Sequence, residues 1–240
     1  YNPEAQREQV KRQLDAGNGI FCGGTNGEFF VLNEQEKIAV TETCVDEVNG
    51  RAPVVAHIGE ISTRETIRLG RQIAKLGVDA VSVITPYFVP LKQDELIYHY
   101  QTVADALDVP LFLYNIPART GNTLQPETVR TLASHPNIIG IKDSAGSYES
   151  LSGFIKAAEG IDNFDVLNGP DSLIHQGFVD GCSACISGLA NAAPKEINAI
   201  WTRFNAGDIE GSRAAQENVT GLRTDLYSIG FSPAAVKKAV

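Results

Sequence analysis

The segment Ile138-Ile139-Gly140-Ile141-Lys142-Asp143-Ser144 places a lysine at the end of a short apolar run. An apolar run of this length predicts a buried strand. Burial disfavours an ammonium ion and favours the neutral amine, which is the form that attacks a ketone to give a Schiff base. The alternative is a lysine that has left the strand and extends its amine into solvent. The rest of the chain has to decide between these two interpretations of Lys142.

Strand-like and helix-like patterns alternate along the rest of the chain. A helical pattern ends at Gly17, and seven short apolar runs follow, each succeeded by another helical pattern. Runs with so few polar residues are typical of strands that are covered on both faces. The predicted strands are residues 19–23, 53–58, 80–84, 111–114, 138–142, 164–167 and 184–186. The helices predicted after them are residues 33–48, 62–76, 93–107, 125–134, 148–159, 171–179 and 194–206.

This alternation predicts a parallel sheet, which is either doubly wound or closed into a barrel. Polar residues follow the ends of several strands, and the glycine fingerprint of an open dinucleotide-binding sheet is absent, so we favour a (β/α)8 TIM barrel. Because the chain begins with a helical pattern, we expect the first of the eight strands to precede Tyr1. We predict that residues 1–206 form the barrel without its first strand and that residues 207–240 form a C-terminal helical extension.

Composition narrows the possible partners. Acidic residues outnumber basic ones by 29 to 20, the net charge is −9, and the basic residues are scattered, which argues against nucleic acid. No stretch approaches the roughly 20 apolar residues that a membrane span needs. Two of the four cysteines lie inside apolar runs, which favours the reducing cytoplasm. We therefore predict a cytoplasmic protein without nucleic-acid or membrane partners.

The cysteines and histidines show no metal-binding spacing. Cys182 and Cys185 form one CxxC pair, but no second pair and no nearby histidine accompany it, so we predict buried small residues and no metal. The four histidines are interpreted as surface or loop residues; they are His57, His99, His135 and His175.

In a barrel, the loops after the carboxyl ends of the strands form the active site. The glycine-rich loop 23–28 follows the first predicted strand, and its backbone N–H groups and the Thr25 hydroxyl can hold a carboxylate. Tyr114 ends the fourth strand, and a phenol near an amine and a threonine hydroxyl forms the proton relay that Schiff-base chemistry needs. Arg119 follows on the same loop and can grip a carboxylate. Taken singly, each feature also has an explanation without function. The glycine-rich loop can be a tight turn, Tyr114 a buried tyrosine and Arg119 a surface arginine.

Taken together, four motifs in order resemble the dihydrodipicolinate synthase and N-acetylneuraminate lyase family, and most closely its synthase branch. They are GTNGE at 24–28, YNIPARTG at 114–121, IIGIKDS at 138–144 and ISGLAN at 186–191. The resemblance implies a class I aldolase that handles pyruvate on a (β/α)8 barrel, without a cofactor or metal. It also implies a homotetramer built as a dimer of dimers.

The resemblance also implies roles for individual residues. Lys142 would form the imine with pyruvate, Tyr114 would shuttle protons, and Thr25 would be its relay partner. Thr25 and Asn26 would lie near the pyruvate carboxylate. Arg119 would bind the carboxylate of aspartate semialdehyde, while Gly169 and the Ile186 backbone would line the pocket.

Two positions depart from the family pattern. Phe88 stands where the synthase has a second tyrosine that reaches across a subunit interface to complete the relay, and Asn26 replaces a threonine or serine. The lysine chemistry is unaffected, but the aldehyde is left open. The leading expectation is condensation of pyruvate with aspartate semialdehyde. The alternatives are an aldolase for a 2-keto-3-deoxy sugar acid or related 2-oxo acid, and a non-catalytic protein that binds a 2-oxo acid.

Overall fold

The computed structural model describes residues 1–240, and its centre is a sheet of seven parallel strands. Their spatial order follows the chain, so every strand pairs with the next one. The strands are β1 (Ile20–Cys22), β2 (Val54–His57), β3 (Ala80–Ile84), β4 (Leu111–Asn115), β5 (Ile138–Asp143), β6 (Asp165–Asn168) and β7 (Ala184–Cys185). All seven predicted strands are confirmed, and no end shifts by more than one residue.

Helices connect the strands and extend beyond them. They are α1 (Pro3–Asp15), α2 (Glu34–Val48), α3 (Thr63–Ile73), α4 (Gln93–Asp105), α5 (Pro117–Thr120), α6 (Pro126–Leu132), α7 (Tyr148–Ala158), α8 (Ile174–Asp180), α9 (Pro194–Asn205), α10 (Ile209–Tyr227) and α11 (Ser232–Ala239). The short helix α5 lies inside a loop that the sequence patterns did not predict to be helical. None of these helices combines the length and the apolar character that crossing a bilayer requires.

Local sequence signals account for where helices begin. Asn33 precedes α2, and its side chain accepts a hydrogen bond from the Glu36 backbone N–H at 2.9 Å. The Glu36 carboxylate in turn accepts from the Asn33 N–H at 2.9 Å. This reciprocal pair satisfies two backbone donors that a helix start otherwise leaves without partners.

The sheet curls into a barrel. The Lys142 amine on β5 lies 4.6 Å from the centre of the Phe21 ring on β1. Four strand spacings separate these strands along the sheet, or about 19 Å at about 4.8 Å each, so a flat sheet would keep the two residues apart. Within residues 1–240, β1 pairs only with β2 and β7 pairs only with β6, and the barrel is open between them.

The strands divide the apolar residues between two cores. A cluster of 38 buried residues, including Val81, Leu113 and Ile141, fills the space between the strands and the surrounding helices. A smaller cluster of Ala80, Phe112 and Leu167 fills the barrel interior. Since successive side chains of a strand point to opposite faces, every second residue of each strand faces the interior. Tyr114 and Lys142 share that inward phase with Phe112, which is how the barrel brings them to one place.

The C-terminal helices pack on the outside of the barrel and reach its strand ends. Helix α10 packs along α9. At their contact the buried Ser212 hydroxyl donates to the Ile200 carbonyl at 2.9 Å and lies 2.9 Å from His175 Nδ1. The proposed division of the chain at residue 206 stays a prediction.

Gly140 on β5 lies where two neighbours approach the backbone. A Cβ atom at this position would lie 2.7 Å from the Phe112 ring and would also meet the Asp165 carbonyl oxygen. The glycine therefore makes room for the largest side chain of the interior cluster.

We predict that Gly140→Ala lowers the free energy of unfolding by about 1–3 kcal/mol, because the added methyl overpacks the interior. The matched control is Gly221→Ala on α10, where nothing lies within 4 Å of the added Cβ. There we expect stabilisation of about 0.5–1 kcal/mol from the better helix former. Denaturant unfolding of both variants measures the difference, and equal stabilities would contradict the packing argument.

Candidate active site

Lys142 is held inside the barrel. Its side chain is only 6% exposed, and its amine lies 4.1 Å from the centre of the Tyr114 ring. Lys142 and Tyr114 are register partners on β5 and β4. The amine lies over the rings of both Tyr114 and Phe21, an arrangement that attracts a cation. The solvent-exposed alternative for this lysine is therefore wrong.

Tyr114 connects the lysine to the glycine-rich loop. Its ring is 2% exposed, and its hydroxyl lies 3.0 Å from the Thr25 hydroxyl, where either oxygen can donate. Thr25 begins a 3-10 turn, Thr25–Gly27, directly after β1. Amine, phenol and threonine hydroxyl are thus brought together from β5, β4 and the loop after β1, as the sequence predicted.

The loops that carry Asn26, Gly169 and Ile186 meet at the same end of the barrel. The Asn26 amide lies so close to Gly188 that a side chain at position 188 would collide with it. The Ile186 N–H donates to the Asn168 carbonyl at 2.8 Å, and the Gly169 N–H donates to the Asp143 carbonyl at 2.8 Å. The loop after β1 therefore approaches the loop after β7, across the gap in the sheet.

Arg119 lies on α5, is exposed to solvent and is contacted from an unexpected direction. Its guanidinium lies 5.0 Å from the centre of the Phe231 ring, which immediately precedes α11. The sequence predicted Arg119 at the site but not this contact. Phe231 packs against the guanidinium face and leaves its N–H edges free to bind a carboxylate.

Two further contacts tie the C-terminal helices to strand-end loops. The Lys237 ammonium on α11 pairs with Glu28 of the glycine-rich loop at 2.8 Å. The Tyr227 hydroxyl on α10 donates to the buried Asp171 carboxylate at 3.1 Å. Together with the Phe231 contact, these pairs show that α10 and α11 pack against the loops at the carboxyl ends of the strands.

Phe88 follows β3 and lies on the surface, with 90% of its area exposed. Its φ angle of +76° is a left-handed conformation that costs energy for a residue with a side chain. The preceding Tyr87 turns inward toward Phe29, at 6.0 Å between ring centres. Burial, and then the Glu60 charge, raise the pKa of Tyr87 to about 12.

His57 is a site residue that sequence reasoning missed. The interpretation of the histidines as surface or loop residues is wrong for three of them, since His57 is 4%, His99 3% and His175 8% exposed. His57 ends β2 inside the barrel, with ring centres 4.6 Å from Phe29 and 5.8 Å from Tyr114. A histidine at the inward phase of an apolar run was the signal that could have found it.

The His57 ring is neutral. Neither ring nitrogen has a hydrogen-bond partner in the chain. Burial is the main cause that lowers the pKa of His57 to about 3, and the positive charges of Lys142 and Lys37 lower it further. The imidazole therefore adds no positive charge to the interior that holds Lys142.

The sequence matches the Dihydrodipicolinate synthetase family over residues 2–240. The chain belongs to this family. Among its relatives, it is 37% identical over 238 residues to the 4-hydroxy-tetrahydrodipicolinate synthase of Geobacter sulfurreducens, covering 99% of this chain and 81% of the relative. It is also 37% identical over 234 residues to an uncharacterised DapA-like lyase of Halobacterium salinarum, covering 97% of this chain and 76% of the relative.

Solved structures of the family share the fold. The chloride-inhibited dihydrodipicolinate synthase of Acinetobacter baumannii, complexed with pyruvate, superposes with a TM-score of 0.93 at 31% identity, over 98% of this chain and 80% of that one. YagE of E. coli K12, a prophage protein of the dihydrodipicolinic acid synthase family in complex with pyruvate, gives 0.94 at 31% identity, over 99% and 81%. The TIM-barrel prediction is confirmed, and the chain is a pyruvate-condensing lyase of the class I aldolase type.

We predict that His57→Phe makes the protein less sensitive to mild acid. The unfolded chain takes up a proton near the ordinary pKa of 6.5 while the folded His57 stays neutral down to about pH 3. Protonation of His57 therefore stabilises only the unfolded chain as the pH falls from 6.5 toward 3, and the free energy of unfolding decreases over this pH range. Between pH 7 and pH 5 the loss is about 2 kcal/mol.

The measurement is the free energy of unfolding of the wild type and of His57→Phe at both pH values. Other titrating groups contribute equally to the two proteins, so they cancel in the comparison. If the stability of both proteins falls by the same amount, His57 is not neutral in the folded state.

Proposed function

We propose that the chain condenses pyruvate with aspartate semialdehyde through an imine on Lys142, as dihydrodipicolinate synthases do. The observation that carries the proposal is the buried Lys142 amine over the ring of Tyr114, whose hydroxyl lies 3.0 Å from that of Thr25. One nucleophile and a two-hydroxyl relay are what imine formation requires.

The chemistry proceeds in balanced steps. The neutral Lys142 amine attacks the carbonyl carbon of pyruvate. The carbonyl oxygen takes a proton from Tyr114, and the attacking nitrogen returns one to the phenolate, which gives a carbinolamine. Tyr114 then protonates the hydroxyl group, which leaves as water while the protonated imine forms, and Thr25 stabilises the phenolate by hydrogen bonding. The phenolate removes a methyl proton to give an enamine, whose carbon attacks the aldehyde while the aldehyde oxygen takes that proton from Tyr114. Hydrolysis of the resulting imine, by the first steps in reverse, releases the product.

The remaining site residues bind the two substrates. Thr25 and Asn26 lie on the loop that we assign to the pyruvate carboxylate. We assign Arg119 to the carboxylate of aspartate semialdehyde, because its planar fork can make two parallel hydrogen bonds. Gly169 and the Ile186 backbone line the pocket between them.

Phe88 supports a second candidate reaction, the cleavage of a 2-keto-3-deoxy sugar acid or a related 2-oxo acid. A phenyl ring has no hydroxyl to pass a proton, so a synthase relay completed by a second tyrosine cannot operate here unchanged. A third candidate, a 2-oxo acid binding protein without turnover, rests on the same substitution.

We also propose that the chain works as a homotetramer, a dimer of dimers, in the cytoplasm. Phe88 supports the assembly, since a 90% exposed aromatic ring in a left-handed conformation is a costly feature for a free surface. A second copy that covers this ring would remove its exposure to water. The four free cysteines fit a reducing compartment.

Borohydride reduction tests the imine directly. We expect that reduction in the presence of pyruvate adds the mass of a reduced pyruvate to the peptide that contains Lys142. Lys142→Ala should abolish the adduct, and Lys156→Ala, which changes an exposed lysine on α7, should not. An adduct that persists in Lys142→Ala would contradict imine formation on Lys142.

The relay makes a second prediction. Tyr114→Phe keeps the ring against Lys142 but removes the hydroxyl, so we expect kcat to fall by about 10²–10⁴-fold. We expect a smaller change in KM, because the carboxylate contacts of the substrates remain. A kcat within threefold of the wild type would show that protons travel by another route.

Activity assays with the two kinds of substrate distinguish the three candidate functions. The synthase proposal expects product from pyruvate and aspartate semialdehyde, and a KM for the aldehyde that rises in Arg119→Leu. Cleavage of keto-deoxy sugar acids without any synthase activity would favour the second candidate. Imine trapping with no turnover of either substrate would favour the binding protein.

A further inference from the structure

Three buried polar side chains form a row at the carboxyl ends of β4, β5 and β6. Asn115 is the register partner of Asp143, and Asp143 is the register partner of Asn168. All three side chains are 0% exposed. They have the outward phase of their strands, so they lie between the barrel and its helices. We call these three residues the strand-end belt.

Most polar atoms of the strand-end belt are hydrogen-bonded. Asn115 Nδ2 donates to Asp143 Oδ1 at 2.8 Å, and the Ala145 N–H donates to the same oxygen at 3.2 Å. Asn115 Oδ1 accepts from the Leu124 N–H at 3.1 Å. Asn168 Nδ2 donates to the Pro170 carbonyl at 3.0 Å. Both ends of the belt are thereby anchored to the loops that follow β4 and β6.

Two oxygens of the belt have no hydrogen-bond partner in the chain, and they belong to adjacent residues. They are Asp143 Oδ2 and Asn168 Oδ1. Registered residues on the same face of neighbouring strands are side by side, about 4.8 Å apart along the hydrogen-bonding direction. An amide oxygen only accepts, and so does an ionised carboxylate, whereas a protonated carboxyl also donates. One proton on Asp143 would therefore satisfy both atoms at once.

The surroundings of Asp143 favour the neutral acid. Burial raises the pKa of its carboxyl, and the hydrogen bonds from Asn115 and Ala145 to Oδ1 oppose that rise. The neutral Ser150 hydroxyl on α7 lies nearby but makes no hydrogen bond to Oδ2, and the thiol of Cys182 also lies near enough to be influenced by Asp143. None of these groups is a cation that would hold the carboxylate ionised.

We propose that Asp143 carries a proton that it donates from Oδ2 to Oδ1 of Asn168, and that the strand-end belt positions Tyr114 and Lys142. Each of these two residues directly precedes a belt residue on its strand, so fixing Asn115 and Asp143 fixes the strand ends from which the phenol and the amine project. The catalytic half of this inference rests on the proposed function.

Backbone hydrogen bonds also join the ends of β4, β5 and β6. The Ser144 N–H donates to the Asn115 carbonyl at 2.8 Å, and the Gly169 N–H donates to the Asp143 carbonyl at 2.8 Å. A Cβ at position 169 would lie 2.6 Å from that carbonyl oxygen. Gly169 therefore permits the close approach of β5 and β6 at the level of Asp143.

Two matched variants test the proposal. Asp143→Asn can still accept from Asn115 and donate an N–H to Asn168, so we expect its rate of imine trapping with pyruvate to stay within about twofold of the wild type. Asp143→Leu branches at the same carbon, is larger and makes no side-chain hydrogen bonds. We expect its trapping rate to fall by about a hundredfold, because displacing a reacting group by about 1 Å slows a reaction by about that factor.

An infrared measurement tests the proton independently of activity. We expect the carbonyl stretch of a protonated carboxyl in the wild type and its loss in Asp143→Asn at pH 7. The buried Asp171 is unchanged in both proteins and cancels in the difference spectrum.

Each outcome decides a part of the proposal. An ionised carboxylate signal lost in Asp143→Asn would overturn the shared proton, as would a trapping rate in Asp143→Asn as low as in Asp143→Leu. A wild-type rate in folded Asp143→Leu would overturn the positioning role. If Asp143→Leu does not fold, the spectrum and Asp143→Asn decide. A wild type that traps no pyruvate would refute the proposed function while the spectrum still decides the proton.

Discussion

A buried lysine is possible in this protein because the sheet curls. Phe21 on β1 and Tyr114 on β4 meet the Lys142 amine only after closure brings the far strands together. Taking a charged amine out of water costs several kcal/mol unless it is compensated. The two ring faces offset part of that cost. In the proposed mechanism the neutral amine is the nucleophile, and burial in general favours that form of an amine over the ammonium ion.

Period-two alternation gives the ends of the central strands two separate tasks. Inward-facing Tyr114 and Lys142 are the residues that we propose meet the substrate, while the outward-facing side chains of Asn115 and Asp143 join the strands by a hydrogen bond. The loops that follow these strands then start from fixed points. Tyr114 and Lys142 can therefore be accessible to a substrate while Asn115 and Asp143, which support them, stay buried away from solvent.

Sequence patterns predicted the strands, most helices and the meeting of Lys142, Tyr114 and Thr25, because these depend on local periodicity and on one rule of barrel geometry. They did not predict that His57 is buried, since a single polar residue in an apolar run does not reveal whether its ring points inward or finds partners. Contacts such as Lys237 with Glu28 join residues 209 positions apart. Such contacts depend on how α11 docks, which local patterns do not encode.

A crystal structure of the protein soaked with pyruvate tests the central claim most directly. We predict continuous electron density from Lys142 Nζ to the second carbon of pyruvate, with the carboxylate against the Thr25–Asn26 loop and the Tyr114 hydroxyl within hydrogen-bond reach of the former carbonyl position. Pyruvate bound without a covalent link to Lys142, or linked to another lysine, would contradict it.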